Sequence, residues 1–320
     1  MNTGGCGSNN TDPKAWKAAS LDSSAVWTMP LSAACLALLD RHVQSLRRDP
    51  CPVTNLRLSE AEQFACARDL QPALAILEEG CGFAVLDRLP LERYSAQEAQ
   101  ALYWLLGQGL GRPMEQNIEG TLLYDVRDTG RDVASGVRFS VTNAESSFHT
   151  DNSFGPTFAD YVGLLCLQTA KAGGLNQIVS GYSVHNELAG HHPEILEVLR
   201  QPFHIDRRGG VRPGESPTIS FPILSGGRDR LICRYLRYWI EAGHEKAQQP
   251  LTPAQVQALD VLDRVLSRPE LRAEFYLERG QMLFVNNRWI LHNRTAFADH
   301  PQPERRRHYV RLWLQAALPG

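Results

Sequence analysis

The succession of predicted helices and strands is the feature that most constrains how this chain folds. Apolar residues recur at helical spacing over residues 32–46, 59–78 and 95–110, while residues 82–87 have the pattern of a short apolar strand. From about Thr121 onwards strand-like runs predominate, and helices interrupt them without regular alternation. A doubly wound parallel sheet requires such alternation and is therefore disfavoured. We predict a mainly β core with flanking helices, of the α+β class.

Gly, Pro, Asp and Asn divide the second part of the chain into short segments. Strands are expected at 121–126, 137–142, 161–168, 176–180, 203–207, 218–224, 231–235, 274–277, 281–286 and 307–314. Helices are expected at 181–188, 192–200 and 252–267. Capping signals mark two helix starts, because Ser95 precedes Glu98 at the capping-box spacing and Thr252 precedes Pro253, which suits the first helical position.

Composition and charge restrict the partners of the chain. Of its 320 residues 43% are hydrophobic, and the net charge is −2 with no strongly basic region, so nucleic acid is not an expected partner. The longest apolar runs are far shorter than the roughly 20 residues that span a bilayer, so no membrane partner is expected either. The seven cysteines form no C-x-x-C pair and follow no secretory signal, which favours free thiols and a cytoplasmic location. No oligomeric state is predicted.

The expected domain organisation is simple. Residues 1–24 are rich in Gly, Ser, Asn and Asp and lack apolar periodicity, so we expect a disordered or loosely attached tail. Residues 25–320 contain no internal repeat and are expected to form a single domain. A helical insertion is expected within it at about 236–270.

His149 and Asp151 form an H-x-D pair in the middle of the chain. On an extended segment residues i and i+2 point to the same side, so both side chains can reach one metal ion. His292, shortly after the apolar run 282–285, is the candidate third ligand. Two histidines and a carboxylate on one side of a metal leave coordination positions open, which suits Fe(II) and dioxygen. An H-x-D alone is frequent in proteins without a metal, so the assignment depends on its surroundings.

The strand predicted at 307–314 has two arginines on one face. Arg307, Tyr309 and Arg311 alternate along it and therefore point to the same side. Buried arginines are costly without anionic partners, and a dicarboxylate co-substrate would supply one through a bidentate contact. A basic strand at the surface is the alternative, and we assign only Arg305 and Arg306 to it.

Four motifs, in their order and spacing, resemble one enzyme family. They are His149-Thr150-Asp151, Gly173-Gly174 with the strand after it, Asn287-Arg288 leading to His292-Asn293-Arg294-Thr295, and the strand from Arg307 to Leu314. Over residues 122–314 the chain thereby resembles the taurine-dioxygenase and clavaminate-synthase-like oxygenases, which depend on iron(II) and 2-oxoglutarate. The resemblance implies a distorted double-stranded β-helix, or jelly roll, whose catalytic iron is bound by His149, Asp151 and His292.

The resemblance also implies which residues bind the co-substrate. Arg307 matches the family arginine that binds the remote carboxylate of 2-oxoglutarate. Arg311 matches a second arginine, which lies near the co-substrate or the anion of the prime substrate. Asn176 stands after the Gly-Gly pair where relatives commonly have threonine, and its amide can still donate a hydrogen bond.

The implied reaction uses dioxygen and 2-oxoglutarate, releases succinate and carbon dioxide, and hydroxylates an unactivated C–H bond of a small molecule. Halogenating relatives lack the carboxylate ligand, so Asp151 favours hydroxylation, with desaturation and ring closure as alternatives. A catalytically silent jelly-roll binding protein would not need all three ligands and Arg307. A zinc hydrolase would have no use for Arg307 facing the metal.

Residues beside the metal ligands are the candidates for substrate binding. Phe148, Asn152 and Ser153 flank the H-x-D pair, although the filling of a β-sheet interior would explain them equally well. Arg234 and Arg237 lie in an aromatic and basic segment that is expected to be either a lid or the start of an amphipathic helix. With Arg311, these cations indicate a substrate that carries a carboxylate, such as an amino acid.

Overall fold

The computed structural model describes residues 12–131, 139–208, 210–227 and 230–316. Eight α-helices form across these ranges: α1 (Ala33–Arg48), α2 (Glu60–Asp69), α3 (Gln71–Glu78), α4 (Ala96–Leu110), α5 (Gly181–His191), α6 (Pro193–Leu199), α7 (Arg237–Lys246) and α8 (Pro253–Leu266). The strands are β1 (Thr28–Pro30), β2 (Phe83–Asp87), β3 (Gly111–Met114), β4 (Leu123–Val126), β5 (Tyr161–Gln168), β6 (Ala172–Gly173), β7 (Asn176–Ser180), β8 (Pro202–Asp206), β9 (Thr218–Pro222), β10 (Leu224–Ser225), β11 (Ile232–Cys233), β12 (Arg272–Phe275), β13 (Met282–Asn286), β14 (Ile290–Arg294), β15 (Phe297–Ala298) and β16 (His308–Ala316).

A seven-stranded sheet forms the centre of the molecule. Its order is β1-β2-β13-β5-β16-β3, and β4 also pairs with β16. The strands pair antiparallel except for β1 with β2. Both faces of the sheet are covered, and the central strands β5 and β13 are accordingly almost continuous apolar runs. The mixed helix-and-sheet composition agrees with the predicted class.

The two faces of this large sheet bury different cores. On one face alternate residues such as Phe284 and Leu312 pack against helices α1 to α4. On the other face their neighbours Leu283 and Trp313 join a second core that includes α5, α6, α8 and a three-stranded sheet of order β12-β7-β14. The period-2 alternation of a strand produces this division. Residues Leu283 and Trp313 also line a cavity whose opposite wall is Ile178 of β7 and His292 of β14.

Several expectations are corrected by the structure. The helix expected at 59–78 is two helices, because Pro72 has no amide hydrogen and its ring would clash with the carbonyl of Arg68. The strand expected at 137–142 falls partly outside the described residues, and Phe139–Val141 is a 3-10 turn. The strand β14, which carries His292, was not expected. None of the helices in the described ranges has both the length and the apolar content needed to cross a bilayer.

The described part of the expected tail is packed against the domain. The side chain of Trp16 is 5% exposed, and its indole nitrogen donates a hydrogen bond to the carbonyl of Cys81 at 2.8 Å. The Trp16 carbonyl accepts a hydrogen bond from the Ser183 hydroxyl at 2.5 Å. An indole of this size buries a large apolar area, so residues 12–24 are attached rather than loose. Residues 1–11 of that prediction lie outside the described ranges.

The six cysteines within the described ranges are free, as expected, and five of them are buried. Both predicted caps are also present. Ser95 and Glu98 form a reciprocal capping box at the start of α4, and Thr252 caps α8 with Pro253 in the first turn.

Candidate metal centre

His149 and His292 hold each other through their backbones. The amide of His149 donates to the carbonyl of His292 at 3.0 Å, and the amide of His292 donates back to the carbonyl of His149 at 2.9 Å. The two imidazole centroids lie 4.4 Å apart. The H-x-D segment therefore docks beside β14, and this isolated antiparallel bridge brings together two residues that are distant in the sequence.

His149, Asp151 and His292 present their ligand atoms to one point. One nitrogen or oxygen atom from each of the three lies within 4.8 Å of the others. The Nδ1 of His149 lies 2.9 Å from the carbonyl of Ser147, a contact that holds the proton on Nδ1 and leaves Nε2 as the electron-pair donor. That Nε2 is 3.6 Å from Asp151 Oδ1. Two imidazoles and one carboxylate arranged in this way fit a facial Fe(II) site.

Asp151 is buried but fully ionised. Burial opposes its charge, yet the positive charge of Arg311 and the contact with His149 outweigh that effect and hold the pKa of Asp151 well below its ordinary value. Arg311 Nη1 lies 3.2 Å from Asp151 Oδ2. The indole nitrogen of Trp313 donates to the same oxygen at 2.8 Å. The carboxylate is thus available as an anionic ligand and has a fixed orientation.

His292 is held in the neutral form that a metal requires. Burial lowers the pKa of His292 to about 3. Its Nδ1 is buried and has no hydrogen-bond partner among the described residues. An orphaned polar atom of this kind is expensive unless a ligand or a water molecule meets it. The donor set, its burial and its protonation all fit a bound divalent transition metal.

Arg307 is a buried cation with no carboxylate within ion-pair distance among the described residues. Its side chain is 3% exposed, and Nε and Nη1 have no hydrogen-bond partner in the described ranges. Burial lowers the pKa of this guanidinium. The rings of Tyr309 and Phe297 lie 3.8 Å and 5.2 Å from its Cζ and fix its position. A buried guanidinium with free donors is prepared to receive a carboxylate.

The other two residues expected to bind the co-substrate line the same cavity. Arg311 donates from Nε to Gln116 at 2.8 Å, besides its contact with Asp151. Asn176 is buried, and its amide nitrogen donates to the carbonyl of Phe275 at 3.2 Å. The three residues that were expected from the sequence to bind the co-substrate therefore all line one cavity.

The expected substrate residues divide into two groups. Asn152 and Ser153 line the cavity, whereas Phe148 packs into the core instead. Arg237 lies outside the cavity walls, because it pairs with Glu241 and with two acids of α8, Asp260 and Asp263, at 2.7–2.8 Å.

Arg234 is also placed outside the cavity walls. Its guanidinium stacks on Phe221 at 3.9 Å and on Phe158 at 4.8 Å, and it donates to the carbonyl of Gly155 at 2.9 Å. Burial lowers the pKa of Arg234 to about 10. Within residues 234–239, Leu236 and Trp239 line the cavity, and the two arginines do not.

Some residues of the cavity wall were not singled out from the sequence. Arg294 lines the cavity and donates to the carbonyl of Thr142 at 3.1 Å, and burial with the charge of Arg307 lowers its pKa to about 9. Trp313 lines it as well. The alternation of a strand would have indicated Arg294, two residues after His292, and Trp313, two residues after Arg311.

The chain is similar to known proteins over most of its length. Residues 50–313 match the family model described as "Taurine catabolism dioxygenase TauD, TfdA family". The FR-33289 synthase of Streptomyces rubellomurinus is 28% identical over 309 residues, which cover 95% of this chain and 89% of that protein.

Solved structures are similar in fold. An asparagine oxygenase in complex with Fe(II), 2S,3S-3-hydroxyasparagine and succinate has a TM-score of 0.65 at 19% identity, covering 90% of this chain and 93% of that one. The non-heme iron oxygenase OrfP in complex with Fe and alpha-ketoglutaric acid has a TM-score of 0.64 at 18% identity, covering 91% and 94%.

Proposed function

The chain belongs to the taurine catabolism dioxygenase TauD, TfdA family, and on that premise we propose that it hydroxylates a C–H bond of a small carboxylate, using iron(II), 2-oxoglutarate and dioxygen. Succinate and carbon dioxide are the co-products. One observation carries the proposal. The free buried donors of Arg307 face the same cavity as the ligand atoms of His149, Asp151 and His292. A metal triad alone fits many reactions, whereas a triad with a buried carboxylate receptor fits this one.

The three ligands would hold iron(II) on one face. Iron(II) held there would supply, together with 2-oxoglutarate and dioxygen, an oxidising power that no protein side chain has. The contribution of the chain is to fix the ligands. The backbone bridge aligns His149 with His292, while Trp313 and Arg311 orient the carboxylate of Asp151. With the aspartate present, no ligand position is left for a halide, so hydroxylation, desaturation and ring closure are the compatible outcomes.

Arg307 would bind the remote carboxylate of 2-oxoglutarate through a two-point contact. Its guanidinium is already oriented by Tyr309 and Phe297, so little side-chain entropy is lost on binding. Asn176 and Arg294 stand opposite each other in the pairing of β7 with β14, and both line the cavity. Asn176 is assigned to the same co-substrate, and Arg311 to the co-substrate or the anion of the prime substrate.

The prime substrate is proposed to be an amino acid or another small carboxylate. Phe139, Phe154, Leu236 and Trp239 form apolar walls that would exclude water from the reacting centre. Arg294 adds a positive charge that none of the described carboxylates neutralises within ion-pair distance, which favours an anionic substrate. Asn152 and Ser153 are the polar candidates beside the ligands. Among proteins similar in fold, one structure contains hydroxyasparagine and another contains (3S)-hydroxy-L-Arg.

We also propose the finer features of the fold, the domain organisation and the cellular location. Two sheets that face each other across the cavity support a distorted jelly roll within a single domain at 25–320, with a helical insertion at about 236–270. The buried free thiols support a cytoplasmic location.

The experiment is an oxygen-consumption and succinate assay with iron(II), ascorbate and 2-oxoglutarate. The test compounds are amino acids and simple carboxylic acids, each paired with its own primary amide so that only the charge differs. We expect carboxylates, and not their amides, to stimulate succinate release above the rate without substrate. Turnover confined to neutral compounds would overturn the substrate class. No succinate under any condition, with folded protein, would overturn the reaction.

A further inference from the structure

We propose that Asn287 is the residue that positions the metal ligand Asp151, and thereby sets the affinity of the site for its metal; this rests on the function proposed above. Asn287 is fully buried in the turn between β13 and β14 and does not line the cavity. It therefore acts through Asp151 and not by touching a substrate. Five residues further along the chain, the strand that follows this turn carries His292.

The amide of Asn287 clamps the backbone of Asp151 from both sides. Its Oδ1 accepts from the Asp151 amide at 2.8 Å, and its Nδ2 donates to the Asp151 carbonyl at 2.9 Å. The Nδ2 also donates to the carbonyl of Ala159 at 2.9 Å, and the Asn287 backbone amide donates to Asp160 at 2.8 Å. A side-chain amide has the same donor and acceptor as a peptide group, so Asn287 replaces a neighbouring strand at this point.

The three ligands differ in how their backbones are held. His149 and His292 exchange two backbone hydrogen bonds with each other. Thr150, between the first two ligands, is held by backbone and hydroxyl contacts to Cys233 and Tyr235. Within the described residues, the amide and the carbonyl of Asp151 both bond to Asn287 and to no other group. Without Asn287, the buried amide and carbonyl of Asp151 lose their hydrogen-bond partners. The backbone that carries the Asp151 carboxylate is then no longer held in place.

The neighbouring residue Asn286 provides a matched control. It is also fully buried, and its amide also makes two donor contacts, to the Leu77 carbonyl at 3.0 Å and to Glu78 Oε1 at 3.2 Å. Those contacts anchor α3, on the far side of the large sheet from the ligands. Asn286→Ala and Asn287→Ala thus remove the same group from equally buried positions, and only one of them concerns Asp151.

The test measures the binding of Mn(II) to the metal-free protein by electron paramagnetic resonance, together with the midpoint of thermal unfolding. We expect Asn287→Ala to raise the Mn(II) dissociation constant by about 10- to 100-fold, the range typical of residues that orient metal ligands. Asn286→Ala should lower the unfolding midpoint comparably but change the dissociation constant less than about threefold. Asn287→Ser, which leaves room for a bridging water, should give an intermediate affinity and serves if the alanine variant does not fold.

Each outcome is decisive. A dissociation constant for Asn287→Ala or Asn287→Ser within about threefold of the wild-type value would overturn the inference. Equal weakening by the Asn286 and Asn287 variants would overturn it too, since metal affinity would then follow stability alone. If the wild-type protein itself bound no Mn(II), the proposed function would fail, and that result is distinct from wild-type and variant proteins binding alike.

Discussion

The indole nitrogen of Trp313 donates a 2.8 Å hydrogen bond to Oδ2 of Asp151, the same oxygen that Arg311 approaches at 3.2 Å. Oδ1 of Asp151 is the oxygen that lies nearer His149 Nε2, at 3.6 Å. Arg311 Nη1 also donates to Oδ1 at 3.3 Å, so the guanidinium contacts both oxygens, and the N–H of Trp313 is the contact that distinguishes Oδ2. The hydrogen bond from Trp313 thus orients the carboxylate with Oδ1 towards His149.

Replacing Trp313 by phenylalanine tests that orientation. Trp313→Phe keeps an aromatic ring in the core but removes the N–H, so we expect metal affinity to fall about tenfold, at the low end for residues that hold a metal ligand. The measurement is a metal titration of the purified protein. Trp16→Phe is the control, because it removes an indole hydrogen bond of equal length, to Cys81, at another buried position. Equal affinities for the Trp313 and Trp16 variants would contradict the prediction.

Arg307→Lys tests the two-point contact with 2-oxoglutarate. Lysine retains the charge but lacks the planar fork, so we expect the KM for 2-oxoglutarate to rise about 10- to 100-fold, as for the loss of a charged hydrogen bond. The change in kcat should be smaller, because the metal ligands are untouched. Arg306→Lys is the matched control, since Arg306 is exposed and should leave KM unchanged. An unchanged KM in the Arg307 variant would remove the co-substrate assignment.

The pH dependence of unfolding tests the ion pair that joins helices α1 and α4. The contact of Glu98 with Arg47, at 2.6 Å, and its hydrogen bond from the Ser95 amide lower the pKa of Glu98 to about 2. The folded pKa is below the unfolded value of about 4.3, so this stabilisation is complete above pH 4.3 and is lost as the pH falls towards 2. Glu98→Gln should therefore be less stable than wild type at pH 6, with the difference shrinking towards pH 2.

The measurement is urea unfolding at a series of pH values. Glu92→Gln, at an exposed acid just before the same helix, should show no such trend. A Glu98→Gln difference that stays constant between pH 6 and pH 2 would contradict the account.

Much of the site follows from short-range patterns in the sequence. The i and i+2 spacing of His149 and Asp151, and the alternation of Tyr309 and Arg311 within β16, are local features of extended backbone. Arg307 lies one residue before β16 begins. The capping box at Ser95 and the N-cap at Thr252 are equally local and were predicted correctly. Their outcome depends on a few neighbouring residues, so tertiary packing had little influence on it.

Other features depend on contacts between distant parts of the chain. The position of Arg237 is set by its ion pairs with Asp260 and Asp263 on α8. No sequence pattern predicts that these residues lie close together. Trp16 lies in a segment with a polar composition, and it is buried because its ring packs in the core beside Phe83, where the Cys81 carbonyl accepts its indole N–H. The role of Asn287 is likewise visible only when its turn is placed beside Asp151.

The central claim is that His149, Asp151 and His292 hold iron(II) while Arg307 holds 2-oxoglutarate beside it. The most direct measurement is the visible absorption of the protein after anaerobic addition of iron(II) and then 2-oxoglutarate. The account predicts a weak metal-to-ligand charge-transfer band that is absent from His149→Ala and Asp151→Ala and that needs a higher 2-oxoglutarate concentration in Arg307→Lys. A folded wild-type protein without the band, or ligand variants that retain it, would contradict the claim.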